Sequence, residues 1–157
     1  MHFAKNRWQT IALRADSIGA WFSLLSFPND TLANCLLVSP VLNMEQLISD
    51  MMTWASVSEE ALRQQGLIPT NFGETLSWQY LTFAREYPIR QWDAPTAILY
   101  GEKDPLTRRQ TVEAFAARFS CAMTEMKNGE HWFHTPEQLV FLDEWTQSLL
   151  SSSPSQG

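Results

Sequence analysis

The sequence is poor in the features that mark several large classes of protein. It holds only Cys35 and Cys121 in 157 residues, too few for a disulfide framework. Both sit in or beside apolar stretches, so buried free thiols in a reducing compartment are expected. No apolar run approaches the ~18 residues of a membrane span. The opening stretch MHFAKNRWQT lacks the apolar core of a signal peptide, and a cytoplasmic location is the expectation. Basic residues are also scarce. There are 11 Lys and Arg against 17 Asp and Glu, for a formal net charge of −6. The Lys and Arg are scattered along the chain. A nucleic-acid surface needs clustered positive charge, so nucleic acid is disfavoured as a partner.

What is abundant is apolar bulk. Hydrophobic residues make up 45% of the chain, including seven Trp and nine Phe. That composition excludes disorder outside the polar tail Ser151 to Gly157. The length suits one domain with a sizeable core, here placed at residues 1–150.

The chain is organised around Ile11 to Phe22, IALRADSIGAWF. Ile11 to Ala15 reads as a short strand, Ser17 and Gly19 turn the chain, and Ala20 to Leu25 reads as a packed helix running to about Phe27. A serine at a sharp strand-to-helix turn has its hydroxyl pushed out above the sheet edge. Small residues are expected beside it because strand and helix backbones approach closely there. Ala15 and Gly19 fill those places.

Met1 to Arg7 reads as the end of a helix. Pro28-Asn29-Asp30 is a strong turn signal. Cys35 to Ser39 is a largely apolar run, as in a strand buried on both faces. Residues 43–92 differ in character and read as a helical insertion. Leu47, Ile48, Met51 and Met52 repeat at helical spacing behind Asn43, a plausible N-cap. Ser56 to Glu59 has capping-box spacing for a second helix that Gly66 could end. Ser77 to Tyr87 places Tyr80, Phe83, Ala84 and Tyr87 on one face of a third. The Met and Trp residues of this insertion fit either an acyl pocket or a helical core, and helical core is the simpler reading.

Beyond it, Ala97 to Gly101 reads as a buried strand whose exit is Glu102-Lys103-Asp104-Pro105-Leu106. A helix follows, with Val112, Phe115, Ala116 and Phe119 at i, i+3, i+4 and i+7. Met123 to Lys127 is a last short strand, and Asn128 to His131 is its exit loop. Thr135-Pro136-Glu137-Gln138 opens the final helix with cap, N1 proline and capping-box glutamine in register. Leu139, Leu142, Trp145 and Leu149 give that helix its buried stripe. Strands alternating with helices imply an α/β fold, a parallel sheet of about four strands with helices on its faces. In such sheets functional groups gather at the carboxyl ends of strands, and three strand exits carry Ser17, Asp104 and His131.

Each of these residues also has a plainer reading. Ser17 could be a turn or cap serine, and Asp104 before Pro105 could be a turn former. His131 competes with His134, which directly precedes Thr135 at the helix entrance, so His131 is preferred. Asp16 reads as a local structural group, and His2 has no assigned role. A serine hydroxyl is a poor nucleophile at neutral pH and needs a base within hydrogen-bond reach. Histidine can accept and return a proton, and a buried carboxylate fixes its tautomer.

Ser17, Asp104 and His131 stand in the chain order Ser…Asp…His of the α/β-hydrolase fold. The chain resembles the carboxyl-terminal portion of an α/β-hydrolase, in the esterase, lipase and serine-peptidase-like superfamily, from about Phe3 to Leu150. The matching pieces are A-D-S-I-G, L-L-V-S-P, I-L-Y-G-E-K-D-P and N-G-E-H-W-F. Y-G-E-K-D-P is similar to the family's acid loop and G-E-H-W-F to its late histidine loop. Residues 43–92 fall where the family inserts its lid.

Ala15 departs from the family's glycine by one methyl group. The resemblance further implies strands before the nucleophile, and a loop among them that supplies half of the oxyanion hole; these are not in the sequence. The other half would be the backbone N–H of Ile18. Losing one such donor typically costs about 10² to 10³ in kcat, and the strand before Ser17 would be left as an exposed sheet edge.

The resemblance implies a serine hydrolase acting on a small acyl substrate of the ester type, apolar by the composition of the insertion. Ser17 would be nucleophile, His131 base and Asp104 its orienting acid, with no metal or organic cofactor. A rival expectation is an inactive or partner-dependent module that forms a homodimer through the exposed edge strand.

Overall fold

The computed structural model describes residues 1–27 and 32–151. The turn expected at Pro28 to Asp30 and the tail from Ser152 lie outside the described residues. The chain forms two compact units, Met1–Leu42 with Gln91–Gly157, and Asn43–Arg90.

The first unit is built on β1 (Ala12–Asp16), β2 (Asn34–Val38), β5 (Thr96–Gly101) and β6 (Ala122–Met126), in the order β1-β2-β5-β6. Every neighbouring pair is parallel, with Ala15 opposite Leu37, Leu37 opposite Ile98 and Leu99 opposite Thr124. This is the four-stranded parallel sheet that the strand and helix alternation predicts. Among the described strands, β1 pairs with β2 alone and forms one edge.

Helices α1 (His2–Lys5), α2 (Ile18–Ser26), α6 (Arg109–Phe119) and α7 (Pro136–Ser151) complete this unit. Side chains on a strand alternate between faces, and both faces of the central strands are buried, as parallel sheets require. On one face Leu36, Val38, Leu99 and Met126 pack with Phe133 and Trp145, and Phe141, Leu142 and Leu149 of α7 close over them. On the other, Cys35, Leu37, Ile98 and Tyr100 are equally withdrawn from water. Burial pushes the Cys35 thiol up to about 12 and that of Cys121 up to about 11. Both are free thiols, Cys35 buried and Cys121 partly so, and both stay protonated at neutral pH.

Two details of α7 differ from the sequence expectation. Leu139 is exposed, and Gln138 takes its place among the buried positions. The reason lies at the cap. Thr135 Oγ1 accepts from Gln138 N–H, while the Gln138 side chain accepts from His134 N–H rather than from the cap residue itself. Gln138 is thereby turned inward, and the buried stripe runs through Phe141, Leu142, Trp145 and Leu149.

The second unit holds α3 (Met44–Trp54), α4 (Glu59–Gln65), a hairpin of β3 (Leu67–Pro69) and β4 (Thr75–Ser77), and α5 (Trp78–Glu86). Asn43 Oδ1 accepts from Gln46 N–H at 3.0 Å, as its N-cap position predicts. The cap of α4 is Ser58, which accepts from Ala61 N–H at 3.1 Å, and not Ser56. Gly66 ends that helix at φ 77°, where a side chain is disfavoured. The hairpin was not expected; its three-residue strands are too short to show a period. Leu81 and Ala84 are the buried residues of α5, while Phe83 and Tyr87 stack on each other in solvent. Arg85 ties three helices together, donating to Glu45 of α3 and to both carboxylate oxygens of Glu59 of α4 at 2.7 to 2.8 Å. That hydrogen-bonded cation lowers the Glu59 pKa. No described helix is long and apolar enough to cross a membrane.

Candidate active site

Strand β1 ends at Asp16, and Ser17 makes the corner into α2 with φ 50° and ψ −126°. A non-glycine residue held there carries strain on the order of 1–3 kcal/mol. The backbone around it is over-determined. Ser17 N–H donates to Val38 O at 3.0 Å, while Ser17 O accepts from Ala20 N–H at 3.1 Å and Val41 N–H at 3.0 Å. The exit of β2 therefore grips the corner from one side and the first turn of α2 from the other. A serine in the N-cap place usually bonds its hydroxyl to the helix. Ser17 makes no such bond.

The hydroxyl meets a histidine instead. Ser17 Oγ lies 2.8 Å from His131 Nε2, and His131 Nδ1 lies 2.8 Å from Asp104 Oδ2. An ionised carboxylate can only accept, so Nδ1 carries the proton and Nε2 presents its lone pair to the serine. The side chains of His131 and Asp104 are 1% and 0% exposed, so little water competes for this bond. The other Asp104 oxygen, Oδ1, accepts from Leu106 N–H at 2.8 Å and Thr107 N–H at 3.0 Å. Asp104 thus serves as the turn former that Asp-Pro suggests and as the partner of His131.

The loops bearing Asp104 and His131 are braced against each other. Lys103 N–H donates to Gly129 O at 2.8 Å, Glu102 N–H to Met126 O at 3.1 Å, and the Glu102 carboxylate accepts from Asn128 N–H at 2.8 Å. Gly101 and Gly129 allow the crossing. A Cβ on Gly101 would stand 2.6 Å from Gly129 O and 2.9 Å from Glu130 O. Below His131, Phe133 is buried in the core cluster at φ 46° and anchors the loop. Trp132, between them, is 69% exposed and lies edge-on to the imidazole with ring centroids 4.7 Å apart.

The structure brings Ser17, Asp104 and His131 together from three strand exits far apart in sequence. Ile18 opens α2, where the first backbone N–H groups of a helix have no intrahelical acceptor. His134 is separate, with its exposed ring 3.3 Å from Glu130. Asp16 pairs with Arg14 on the exposed side of β1 at 3.5 Å. Sequence reasoning missed the groups that brace the two loops: Glu102 and the glycine pair. Only the glycines left a signal, since each stands at a strand exit. One expectation fails on geometry. A Cβ at Gly19 would meet nothing within 4 Å among the described atoms, so close backbone approach does not explain that glycine. Among the described residues, no three His, Cys, Asp or Glu side chains cluster so as to hold a metal ion.

No protein-family model matches the sequence, and no curated protein matches it. Solved structures do. Est1E from Butyrivibrio proteoclasticus superposes with a TM-score of 0.73 at 15% identity, over 96% of this chain and 66% of its own. Est1E with ferulic acid bound gives 0.72 at the same identity. The esterase Pf2001 of Pyrococcus furiosus gives 0.64 at 14% identity, over 96% of this chain and 57% of its own. An alpha-beta serine hydrolase homologue from Coxiella burnetii gives 0.56 at 20% identity, over 92% and 51%. The chain spans less than two thirds of the length of each of these structures.

Proposed function

We propose that this chain, which has part of the α/β-hydrolase fold, carries the catalytic residues of a serine hydrolase acting on acyl esters. The observation that supports this best is the continuous relay from Ser17 Oγ through His131 to Asp104 Oδ2, with both contacts at 2.8 Å and its inner members shielded from water. Ser17 Oγ attacks the carbonyl carbon as its proton passes to His131 Nε2. Asp104 holds Nδ1–H throughout and stabilises the imidazolium. The negative charge that develops on the carbonyl oxygen falls beside the amino end of α2, where Ile18 N–H is the donor on this chain. Collapse of the tetrahedral adduct expels the leaving alcohol, which takes the proton back from Nε2. Water then attacks the acyl-enzyme by the same relay and returns Ser17 to its starting state. Est1E is an α/β neighbour with ferulic acid bound, which supports including aromatic acyl esters among the substrates tried.

A second reading is supported by the position of β1 at the sheet edge: an inactive chain that pairs with a second copy through that edge. One experiment separates the two. The chain is resolved by size, and each fraction is assayed for hydrolysis of p-nitrophenyl acetate, butyrate and ferulate. Hydrolysis by the monomer, reduced about 10⁴-fold or more in Ser17→Ala, is the expected result. A folded chain that is dimeric and no faster than Ser17→Ala contradicts the hydrolase reading and favours the second.

A further inference from the structure

We propose that Tyr100 is a positioning residue of this relay, pinning through its phenol the turn whose backbone orients the Asp104 carboxylate. The inference rests on the hydrolase reading above. Tyr100 is the penultimate residue of β5 and is 3% exposed. Its hydroxyl donates to Thr107 O at 3.1 Å. Thr107 N–H in turn donates to Asp104 Oδ1 at 3.0 Å, beside the 2.8 Å bond from Leu106 N–H. One rigid strand side chain therefore holds the far end of the turn from Asp104 to Thr107. Oδ1 is fixed by that turn, and Oδ2 is left pointing at His131.

Among the described residues the Thr107 hydroxyl offers no substitute, since it is buried without a partner. Without the phenol hydroxyl, the Thr107 carbonyl loses its donor. The two N–H groups can then drift relative to Oδ1, and the carboxylate can turn away from Nδ1. Burial, and the negative charge of Asp104 after it, raise the Tyr100 pKa. The phenol therefore keeps its proton, and its role as donor, across the neutral range.

Tyr100→Phe keeps the ring and removes only the hydroxyl. A displacement of ~1 Å in a catalytic group can cost about 10²-fold, so kcat is expected to fall about 10- to 100-fold with KM little changed. A purely structural hydroxyl would lower the melting temperature and leave kcat in place. The strongly downfield proton resonance of His131 Nδ1–H supplies a readout that needs no turnover. It should be present in the wild type, absent in Asp104→Asn, and shifted or broadened in Tyr100→Phe.

A folded Tyr100→Phe with the wild-type resonance and the wild-type kcat overturns the proposal while leaving the relay standing. A wild type with no such resonance and no ester hydrolysis overturns both, and the two failures are thereby distinct. Should Tyr100→Phe not fold, 3-fluorotyrosine at position 100 keeps ring and hydroxyl but makes the phenol a stronger donor. The resonances of Leu106 N–H, Thr107 N–H and His131 Nδ1–H should then shift together; unmoved resonances also overturn it.

Discussion

Asp104→Asn is expected to lower kcat/KM about 10⁴-fold while the chain stays folded. The argument follows from which Asp104 atom faces which donor. Oδ1 accepts from the N–H groups of Leu106 and Thr107. An amide nitrogen placed there would set donor against donor, so the asparagine carbonyl must take that position. Its NH₂ group then falls where Oδ2 was, 2.8 Å from His131 Nδ1. A donor at that place obliges Nδ1 to accept, which moves the ring proton to Nε2. Nε2–H now donates to Ser17 Oγ and can no longer take its proton. Every contact keeps its distance, and the chemistry stops because one proton sits on the wrong nitrogen. Steady-state kinetics beside a thermal melt provide the check. A variant within tenfold of wild-type rate would show that Asp104 is only a turn former.

Gly101→Ala should have the largest effect on the fold for one added methyl group. Its Cβ would meet Gly129 O at 2.6 Å, Gly129 C at 2.7 Å and Glu130 O at 2.9 Å. All three are backbone atoms, so no side chain can swing aside, and the histidine loop itself must move. Overpacking of this kind costs about 1–3 kcal/mol. His131 follows Gly129 by two residues, so the relay is displaced as well, and about 10²-fold in rate should go with it. Gly19→Ala is the contrasting case. A Cβ there meets nothing within 4 Å in the first turn of α2, and replacing a helical glycine stabilises by about 0.5–1 kcal/mol. Urea denaturation of the two variants should therefore move the midpoint in opposite directions. A Gly101→Ala chain as stable and as active as wild type would mean that the two loops do not cross as described.

The meeting of Ser17, Asp104 and His131 was legible in the sequence because each stands in a loop with strong local signals. Ser17 lies between a strand pattern and a helix pattern, Asp104 precedes a proline, and His131 follows Asn-Gly at a strand exit. The order of the three, together with the α/β-hydrolase rule that places them at the carboxyl ends of parallel strands, did the rest. The supporting structure was not legible, because it is made of long-range contacts. Nothing near Gly101 announces that Gly129 will touch it, and nothing near Tyr100 marks its hydroxyl for Thr107 O. The β3–β4 hairpin is too short for periodicity to reveal. On α7, counting apolar residues at helical spacing chose Leu139, while a polar neighbour, Gln138, was drawn inward by the His134 N–H. For Gly19 a rule about turns supplied a reason that the space around it does not support.

The most direct measurement is intact-mass analysis after treatment with a fluorophosphonate, applied to the wild type, Ser17→Ala and His131→Ala. An activated serine oxygen attacks its phosphorus, and fluoride leaves. A single adduct on the wild type, mapped to the peptide containing Ser17 and missing from both variants, is the result predicted by a working relay. An unlabelled wild type that is folded, or a label that persists in Ser17→Ala, would contradict it.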